Sequence, residues 1–230
     1  MNKSADNLKS IFLFNEMPKN KTFIATSLKK SGKLKRISQD LHNILPDSKI
    51  SNNITNRDYF YELEYNTLTH KNVSMLFLKY KKKNSYLLIS NTFYCLTYQL
   101  TLLNVCTCED FRFLGNCQKW SKSILMFDDN FTEKPHLIIL KPLLIEIFTS
   151  KSSNKLSEPV IDNVISFVYY QSKILLRIYQ IKYLKNFSNT KKTKNIVLLE
   201  IGPRITFLPI KAWSNLTENK ETIFDFRFKK

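Results

Sequence analysis

The sequence has very little glycine and few residues that commonly perform catalytic chemistry. Its 230 residues include 3 glycines, 3 histidines and 4 cysteines. So few glycines exclude a Gly-rich phosphate-cradling loop, and no P-loop, dinucleotide-binding or nucleophile-elbow motif occurs. His42, His70 and His136 lack partners at metal-binding spacings. The sequence therefore predicts a protein that is not an enzyme and that needs no cofactor or metal.

The cysteines do not form a zinc-binding pattern. Structural zinc sites usually combine two ligand pairs, each separated by about two to four residues. Here a single residue separates Cys106 from Cys108, and Cys95 and Cys117 have no close partner. We expect free thiols in a reducing compartment, because the first residues contain no apolar stretch long enough for a secretion signal.

Long apolar runs are also missing. The longest stretch without a charged residue, Asn84–Cys108, is interrupted by polar residues such as Thr97 and Gln99, which are costly in lipid. From Tyr94 to Leu102 apolar and polar residues alternate, and this period of two predicts a half-buried strand. The sequence predicts no membrane span.

Positive charge is what the sequence has in excess. It contains 36 Lys and Arg against 19 Asp and Glu, which gives a formal net charge of +17. Residues 1–36 hold nine basic and two acidic residues, and residues 171–211 hold nine and one, whereas residues 109–162 hold seven and eight. An excess of this size favours a polyanionic partner (RNA, DNA or an anionic membrane) over a merely solvated surface, because self-repulsion opposes folding.

The hydrophobic pattern predicts a mixed α/β fold with antiparallel hairpins. Thr22–Ser27 is predicted as a strand and Leu34–Leu45 as a helix ended by Pro46. Asp58 is predicted to cap a second helix that runs to Leu68. The strands predicted to follow are Val73–Tyr80, Ser85–Ser90 and Phe93–Leu103.

The same order of elements then begins again. Ser123–Phe127 is predicted as a strand and Pro135–Phe148 as a helix that Pro142 kinks or restarts. Strand, helix, hairpin and strand thus occur twice, which favours a duplicated half-domain. The remaining predicted strands are Val164–Tyr170, Lys173–Lys182, Asn195–Ile201 and Ile205–Ile210.

Clusters of lysine are the first candidates for RNA binding. One cluster follows the first strand, where a helix N-terminus favours phosphate binding. A second cluster lies at the tip of the first predicted hairpin. A third, Lys182–Lys194, precedes the last strands. Each cluster alone is equally well explained as a solvated loop, but three in one domain favour phosphate contacts that carry little sequence information. The candidates in the first two clusters are Lys29, Lys30, Lys33, Lys35, Arg36, Lys81, Lys82 and Lys83.

An arginine beside a Gly-Pro pair is the other candidate. Gly202 and Pro203 predict a tight turn between two apolar strands, which presents Arg204 from a rigid bend for a bidentate phosphate contact. The alternative is that Arg204 pairs with Glu200 inside the domain. Lys211, at the end of this segment, is a further candidate.

Two adjacent carboxylates offer the one catalytic alternative. Asp128 and Asp129 follow a predicted strand, where a metal-dependent nuclease could hold its ions. Two aspartates in a loop more often mark a turn or a helix start, and we favour that interpretation.

Several segments together resemble the Brix domain family. Glu200-Ile201-Gly202-Pro203-Arg204 resembles the E-[IV]-G-P-R signature near the end of Brix domains. Leu34–Ser48 resembles the first helix of the family and the turn that follows it. Glu109–Phe148 and Pro159–Ile181 are similar to further family segments. The resemblance covers residues 22–212, between a basic tail, residues 1–21, and a short tail, residues 213–230.

The resemblance implies two similar α/β halves, roughly residues 22–108 and 109–212, each related to anticodon-binding domains and without a catalytic centre. It implies binding of pre-rRNA in the nucleolus of a eukaryotic nucleus, with neither a membrane nor a small-molecule substrate as partner. Glu109–Phe148 is most similar to members that assemble the large ribosomal subunit, which implies a helical partner like the EBNA-binding nucleolar proteins.

Two alternatives remain open at this point. The chain is a scaffold that reaches pre-ribosomes through other proteins, using its neutral middle, residues 109–162. Or it is a family member that acts on the small ribosomal subunit.

Overall fold

The computed structural model describes residues 21–27, 32–45, 48–68, 72–81, 83–110, 122–149, 161–184, 195–214 and 221–226. Within these ranges the chain forms a mixed α/β fold in which one eleven-stranded sheet carries helices on both faces. The helices are α1 (Gly32–Ile44), α2 (Asn56–Leu68), α3 (Asn130–Glu133) and α4 (Pro135–Phe148). The strands are β1 (Lys21–Ser27), β2 (Ser48–Ile54), β3 (Val73–Lys81), β4 (Asn84–Asn91), β5 (Leu96–Cys106), β6 (Lys122–Phe127), β7 (Ile161–Tyr170), β8 (Lys173–Leu184), β9 (Asn195–Glu200), β10 (Arg204–Ser214) and β11 (Thr222–Asp225).

The sheet is built from two runs of strands with the same connectivity. Its order is β2-β1-β3-β4-β5-β10-β8-β7-β6, with β9 paired to β8 and β11 paired to β10. In the first half, β1 is parallel to β3, and β3, β4 and β5 are successively antiparallel. In the second half, β6 is parallel to β7, and β7, β8 and β10 are successively antiparallel. Antiparallel pairing of β5 with β10 joins the halves into one sheet.

Two apolar cores lie on opposite faces of this sheet. The larger core contains one face of α1 and of α4, packed on alternate residues of both halves, such as Leu76, Leu100 and Leu176. The smaller core lies under α2, where Tyr59 and Leu63 pack with Phe77 and its neighbours of the first half and with Trp213 of β10. Successive residues of β3 enter different cores, because strand side chains alternate between faces.

The start of α2 corrects one prediction. Asp58 was expected to cap this helix, but Thr55 occupies the capping position and Asp58 lies in the first turn. The Thr55 hydroxyl accepts a hydrogen bond from Asp58 N–H at 3.1 Å, and the Asp58 carboxylate accepts one from Thr55 N–H at 3.0 Å. This reciprocal capping box satisfies two backbone donors, which a cap by Asp58 alone would not do.

Three other elements, β5, α4 and β2, also differ in part from what the sequence predicted. Residues 93–95 belong to a turn and not to β5, because the Asn91 side chain accepts a hydrogen bond from Tyr94 N–H at 3.0 Å. Of the two outcomes expected at Pro142, a kink or a restart, the restart does not occur: helix α4 continues through the proline, since the apolar residues on both sides of it are held in the larger core. Strand β2 was not predicted, because its polar sequence becomes a strand only through parallel pairing with β1.

Three further observations on the described residues concern apolar helices, thiols and groups of metal-binding side chains. No helix among the described residues is long and apolar enough to cross a membrane. Cys95, Cys106 and Cys108 are free thiols, and burial raises the pKa of Cys95; Cys117 lies outside the described residues. Within the same ranges, no group of three or more His, Cys, Asp or Glu residues could hold a metal ion.

Candidate nucleic-acid interface

The Gly202-Pro203 segment is a bulge and not the predicted tight turn. Strands β9 and β10 both run antiparallel to β8, with Glu200 opposite Tyr179 and Ile205 opposite Leu176. The chain therefore continues in the same direction, and residues 201–204 bulge out where β8 has only residues 177 and 178. The backbone of Gly202 has a φ of 71°, which a glycine adopts at little cost. The prediction failed because β8 is long enough to pair with both apolar segments.

Arg204 is held across this bulge by an acid of the same segment. Its Nε donates to Glu200 Oε1 at 2.5 Å and its Nη2 donates to Glu200 Oε2 at 2.6 Å. This bidentate contact raises the pKa of Arg204 above its ordinary value. The alternative that Arg204 pairs with Glu200 is therefore what the structure contains. The Arg204 side chain is still 40% exposed, so part of the guanidinium faces solvent.

Helix α1 meets this bulge through the turn that follows β5. Arg36 Nε lies 2.8 Å from Glu109 Oε2, and Asp40 accepts a hydrogen bond from Cys108 N–H at 3.0 Å. The Cys108 thiol in turn lies 3.7 Å from the Ile201 carbonyl oxygen, which accepts its hydrogen bond. Two segments that sequence analysis treated as separate candidates are thus parts of one surface.

The pKa values of two acids at this contact, Asp110 in the turn and Asp40 on α1, shift in opposite directions. Thr107 N–H donates to Asp110 at 2.8 Å, and this bond, with Lys33 and Arg36 nearby, lowers the pKa of Asp110. Burial raises the pKa of Asp40, despite its bond from Cys108. Asp110 therefore stays charged and partly offsets the positive potential of α1.

The tip of the β3–β4 hairpin lies at the same end of the sheet. Lys81 is opposite Asn84, Ser85 is opposite Leu102 on β5, and β5 then continues to Cys106, opposite Arg204. Three strand spacings separate β3 from β10, roughly 14 Å at about 4.8 Å each. We call this end of the sheet the basic end and define it by Lys33, Lys35, Arg36, Lys81, Lys83 and Arg204.

The lysines of the basic end differ from its arginines. Lys33, Lys35, Lys81 and Lys83 are exposed, and within the described residues none of them forms an ion pair. Arg36 and Arg204 are both paired with glutamates. These exposed ammonium groups can therefore contact a phosphate without first breaking a salt bridge.

The remaining candidates are not part of this grouping. Lys211 lies seven residues along β10 from Arg204, roughly 23 Å at about 3.3 Å per residue, and its Nζ stands 4.5 Å above the Trp213 ring. Lys182 is exposed on β8. The predicted residues Lys29, Lys30 and Lys82, and the rest of the third cluster, lie outside the described residues.

Asp128 and Asp129 form the start of α3, as their favoured interpretation expected. Asp128 Oδ2 accepts hydrogen bonds from Asn130 Nδ2 and from Tyr169 N–H, both at 2.9 Å. Phe131 N–H and Thr132 N–H donate to the backbone carbonyls of Asp128 and Asp129. These contacts connect the end of β6 to β7 and to the first turn of α3.

Sequence reasoning missed the acids that face the basic residues. Glu109 and Asp110 carry no local signal, because their partners on α1 are far away in the sequence and meet them only in the folded sheet. Glu200 had a signal, since its four-residue spacing from Arg204 was recognised as an alternative pairing.

Comparison with known proteins identifies the family. The Brix domain family model matches residues 27–211. Ribosome biogenesis protein BRX1 of Saccharomyces cerevisiae is 30% identical over 197 residues, which cover 84% of this chain and 68% of the yeast protein. The human Ribosome biogenesis protein BRX1 homolog is 29% identical over 180 residues, 78% of this chain and 48% of that protein. The chain spans about half the length of the animal relatives it matches.

One solved structure aligns with most of the chain at low identity. The probable ribosomal biogenesis protein from Aeropyrum pernix K1 aligns with a TM-score of 0.48 and 9% identity, over 82% of this chain and 96% of that one. The family assignment rests on the sequence comparisons, and the region that the family model matches contains the bulge, the basic end and the strands from β2 to β9. The chain belongs to the Brix domain family.

Proposed function

We propose that this chain is a ribosome biogenesis factor that binds pre-rRNA of the large subunit through the basic end. It acts as a non-enzymatic clamp during rRNA processing and assembly, in the nucleolus. Its relatives named Ribosome biogenesis protein BRX1 support the assembly role. The observation that carries the RNA contact is the grouping of α1, the β3–β4 tip and the bulge at one end of the sheet.

The electrostatics of the basic end suit a phosphate backbone. The first turn of α1 contains no acid but holds Lys33 and Lys35, so its bases add to the positive end of the helix dipole instead of offsetting it. This arrangement is unfavourable for the isolated helix and is relieved when an anion binds. Lys81 and Lys83 supply further ammonium groups across the sheet. These contacts read charge and shape and carry little base specificity.

The test is binding of the full chain to large-subunit rRNA fragments over a range of salt concentrations. If about six phosphates are neutralised, log K falls with log salt at a slope of about −4 to −5. Replacing Lys33, Lys35, Lys81 and Lys83 by Glu is expected to abolish binding at physiological salt. Binding that is absent at low salt, or that is unchanged in this variant, contradicts the proposal.

Lys49 provides the matched control. It is exposed on β2, whose first residues pair with the beginning of β1, at the end of the sheet opposite Lys81. Lys49→Glu changes the net charge of the chain without altering the basic end, so we expect less than a twofold loss of affinity. An equal loss per charge in Lys49→Glu would mean that net charge alone governs binding.

Crosslinking in cells tests the assignment to the large subunit. Crosslinks that map to large-subunit precursor sequences support it, and crosslinks to small-subunit precursor overturn it. A chain that enters particles normally after the four lysines are replaced would instead be a scaffold recruited by other proteins.

A further inference from the structure

The edge of β10 that faces β8 is unpaired over three residues. Strand β8 covers the first part of this edge, where Ile174 lies opposite Phe207, and β11 covers the last part, where Asp225 lies opposite Lys211. Among the described residues, no strand pairs with residues 208–210 on this side. Pro209 lies in this stretch and has no N–H to donate to a neighbouring strand. The sequence thus leaves a gap in the sheet between the β7–β8 hairpin and β11.

A cavity of about 530 Å³ opens at this gap. Its walls are the rings of Tyr169 and Phe226 together with residues 208–210 of β10, and the hydroxyl side chains of Thr101 and Ser172 line it as well. Sites for small organic groups have volumes of about 300–1,000 Å³ and combine apolar walls with a few polar groups. The cavity therefore has the size and the lining of a ligand site.

His136 of α4 holds the two aromatic walls in position. Its ring centroid lies 5.5 Å from that of Tyr169 and 5.0 Å from that of Phe226, with both contacts edge to face. The ring of Phe224 also packs against Phe226, at 5.2 Å. Because these contacts orient the rings before a ligand enters, binding a flat group between them requires little further ordering.

Basic residues border the cavity. Lys134 Nζ lies 5.3 Å from the centroid of the Tyr169 ring. Lys173 is exposed at the tip of the β7–β8 hairpin, and Lys211 follows the lining residues along β10. Asp225 offsets one of these charges. An occupant that joins a flat ring to a negative charge suits this setting better than an apolar amino-acid side chain does.

The cavity also lies within reach of RNA at the basic end. Leu208 is four residues along β10 from Arg204, roughly 13 Å at about 3.3 Å per residue. Unpaired RNA bases are commonly bound by stacking on aromatic side chains, whereas duplex RNA is recognised through its shape and backbone. We propose that the cavity receives one unpaired base of the RNA that contacts the basic end, with Tyr169 and Phe226 as its ring contacts. This inference rests on the RNA binding proposed above and adds to it a preference for single strands.

Two RNA decamers of equal charge test the proposal with the full chain. One is a uridine decamer with a central 2-aminopurine, and the other has the same sugars and phosphates but no bases. We expect the decamer with bases to bind about tenfold more tightly, and the 2-aminopurine fluorescence to fall on binding because its ring stacks on an aromatic side chain. If the decamer with bases binds no more tightly than the abasic one, whatever their common affinity, the proposal is overturned.

Variants of the ring contacts locate the base. Tyr169→Leu keeps an apolar side chain but loses the ring, so it should remove most of the difference in affinity between the decamers and leave abasic binding unchanged. Tyr169→Phe keeps the ring and should bind both decamers like the native chain. Phe226→Leu, at the end of β11, should reduce the difference in the same way and tests the site independently of Tyr169. A Tyr169→Phe variant that loses the difference contradicts stacking.

Tyr183→Leu is the matched control. Tyr183 is 53% exposed and lies ten residues along β8 from Lys173, roughly 33 Å at about 3.3 Å per residue. Its replacement should change the affinity of either decamer by less than about twofold. If Tyr183→Leu and Tyr169→Leu weaken the decamer with bases equally, RNA stacks on any exposed tyrosine and the cavity is not a base site.

Two other occupants are distinguished in the same assay. If the difference between the decamers appears only in Phe228→Asp, the chain's own residues 227–230 fill the cavity. If tryptophan amide displaces the 2-aminopurine decamer as effectively as adenosine monophosphate does, the cavity accepts an amino-acid side chain as readily as a nucleotide. Either result overturns the proposal. The abasic decamer reports on the basic end alone: if it binds and the difference is absent, only this inference fails, whereas its failure to bind at low salt contradicts the proposed function.

Discussion

Arg204 and Glu200 form a bidentate ion pair that closes the bulge between β9 and β10. Both residues belong to the E-I-G-P-R segment by which the chain resembles its family. The structure explains their spacing, because the ion pair bridges the bulged residues, which outnumber the residues of β8 opposite them. Glu200 also lies 3.9 Å from Arg177, so one carboxylate serves two guanidinium groups beside the basic end.

Glu200→Gln should strengthen RNA binding. The substitution removes a negative charge and releases Arg204 from its bidentate contact, so more of the guanidinium can reach a phosphate. We expect about three- to fivefold higher affinity at low salt, from a Coulomb term of about 1 kcal/mol. Filter binding of an rRNA fragment measures this change. An unchanged affinity would mean that Arg204 contributes only to the bulge and not to the RNA contact.

Lys83→Gly should separate stability from RNA affinity. Lys83 has a φ of 67°, in the left-handed region where glycine is favoured. The substitution should raise the free energy of unfolding by about 0.5–1 kcal/mol and remove one positive charge from the basic end. Urea denaturation and RNA titration of the same variant are the measurements. Lys83→Ala is the control, since it loses the charge and gains no conformational freedom.

Thr55→Ala should destabilise α2 and the smaller core below it. Loss of the N-cap hydroxyl is expected to cost about 1 kcal/mol by chemical denaturation. Contacts with Thr55 lower the pKa of Asp58, so its stabilisation is present above the ordinary carboxyl pKa and is lost as the pH falls through the lower folded value. Thr55→Ser retains the hydroxyl and should unfold like the native chain. A loss of equal size in the serine variant would contradict a capping role.

The buried hydroxyl chain under α2 offers a graded test. Tyr59 O–H donates to Ser90 Oγ at 2.7 Å, and Ser90 and Thr97 hydroxyls are 2.7 Å apart. Tyr59→Phe leaves the Ser90–Thr97 bond intact and should cost about 1 kcal/mol, whereas Ser90→Ala leaves two buried hydroxyls without their shared partner and should cost about 2 kcal/mol. The reverse order in thermal or urea unfolding would contradict the network.

Asp40→Asn should make stability less dependent on pH. Burial raises the pKa of Asp40 above its unfolded value, so the stability it contributes is fully present at low pH and is lost as the pH rises through the folded pKa. Asparagine keeps an oxygen for Cys108 N–H and carries no charge. The two proteins should unfold alike near pH 3, and the variant should be the more stable at pH 7. A less stable variant at pH 7 would show that the Asp40 charge is favourable.

Local pattern predicted most elements but not their boundaries. Alternation from Leu96 to Leu102 correctly indicated a half-buried strand, and apolar spacing from Leu34 to Ile44 correctly indicated α1. The cap at Thr55 and the turn at residues 93–95 were missed, because both depend on side-chain hydrogen bonds that residue type alone does not fix. The duplicated half-domain remains a prediction, although both halves share their strand connectivity.

By itself, the sequence determined the charge, the mixed α/β class and the segments by which the family is recognised, because composition, periodicity and short motifs are local properties. Only the tertiary structure decided that α1 and the bulge share one end of the sheet, that glutamates neutralise Arg36 and Arg204, and that a cavity opens in the sheet beside Pro209. Those outcomes depend on register and pairing between distant strands, which set which face and which end each residue occupies.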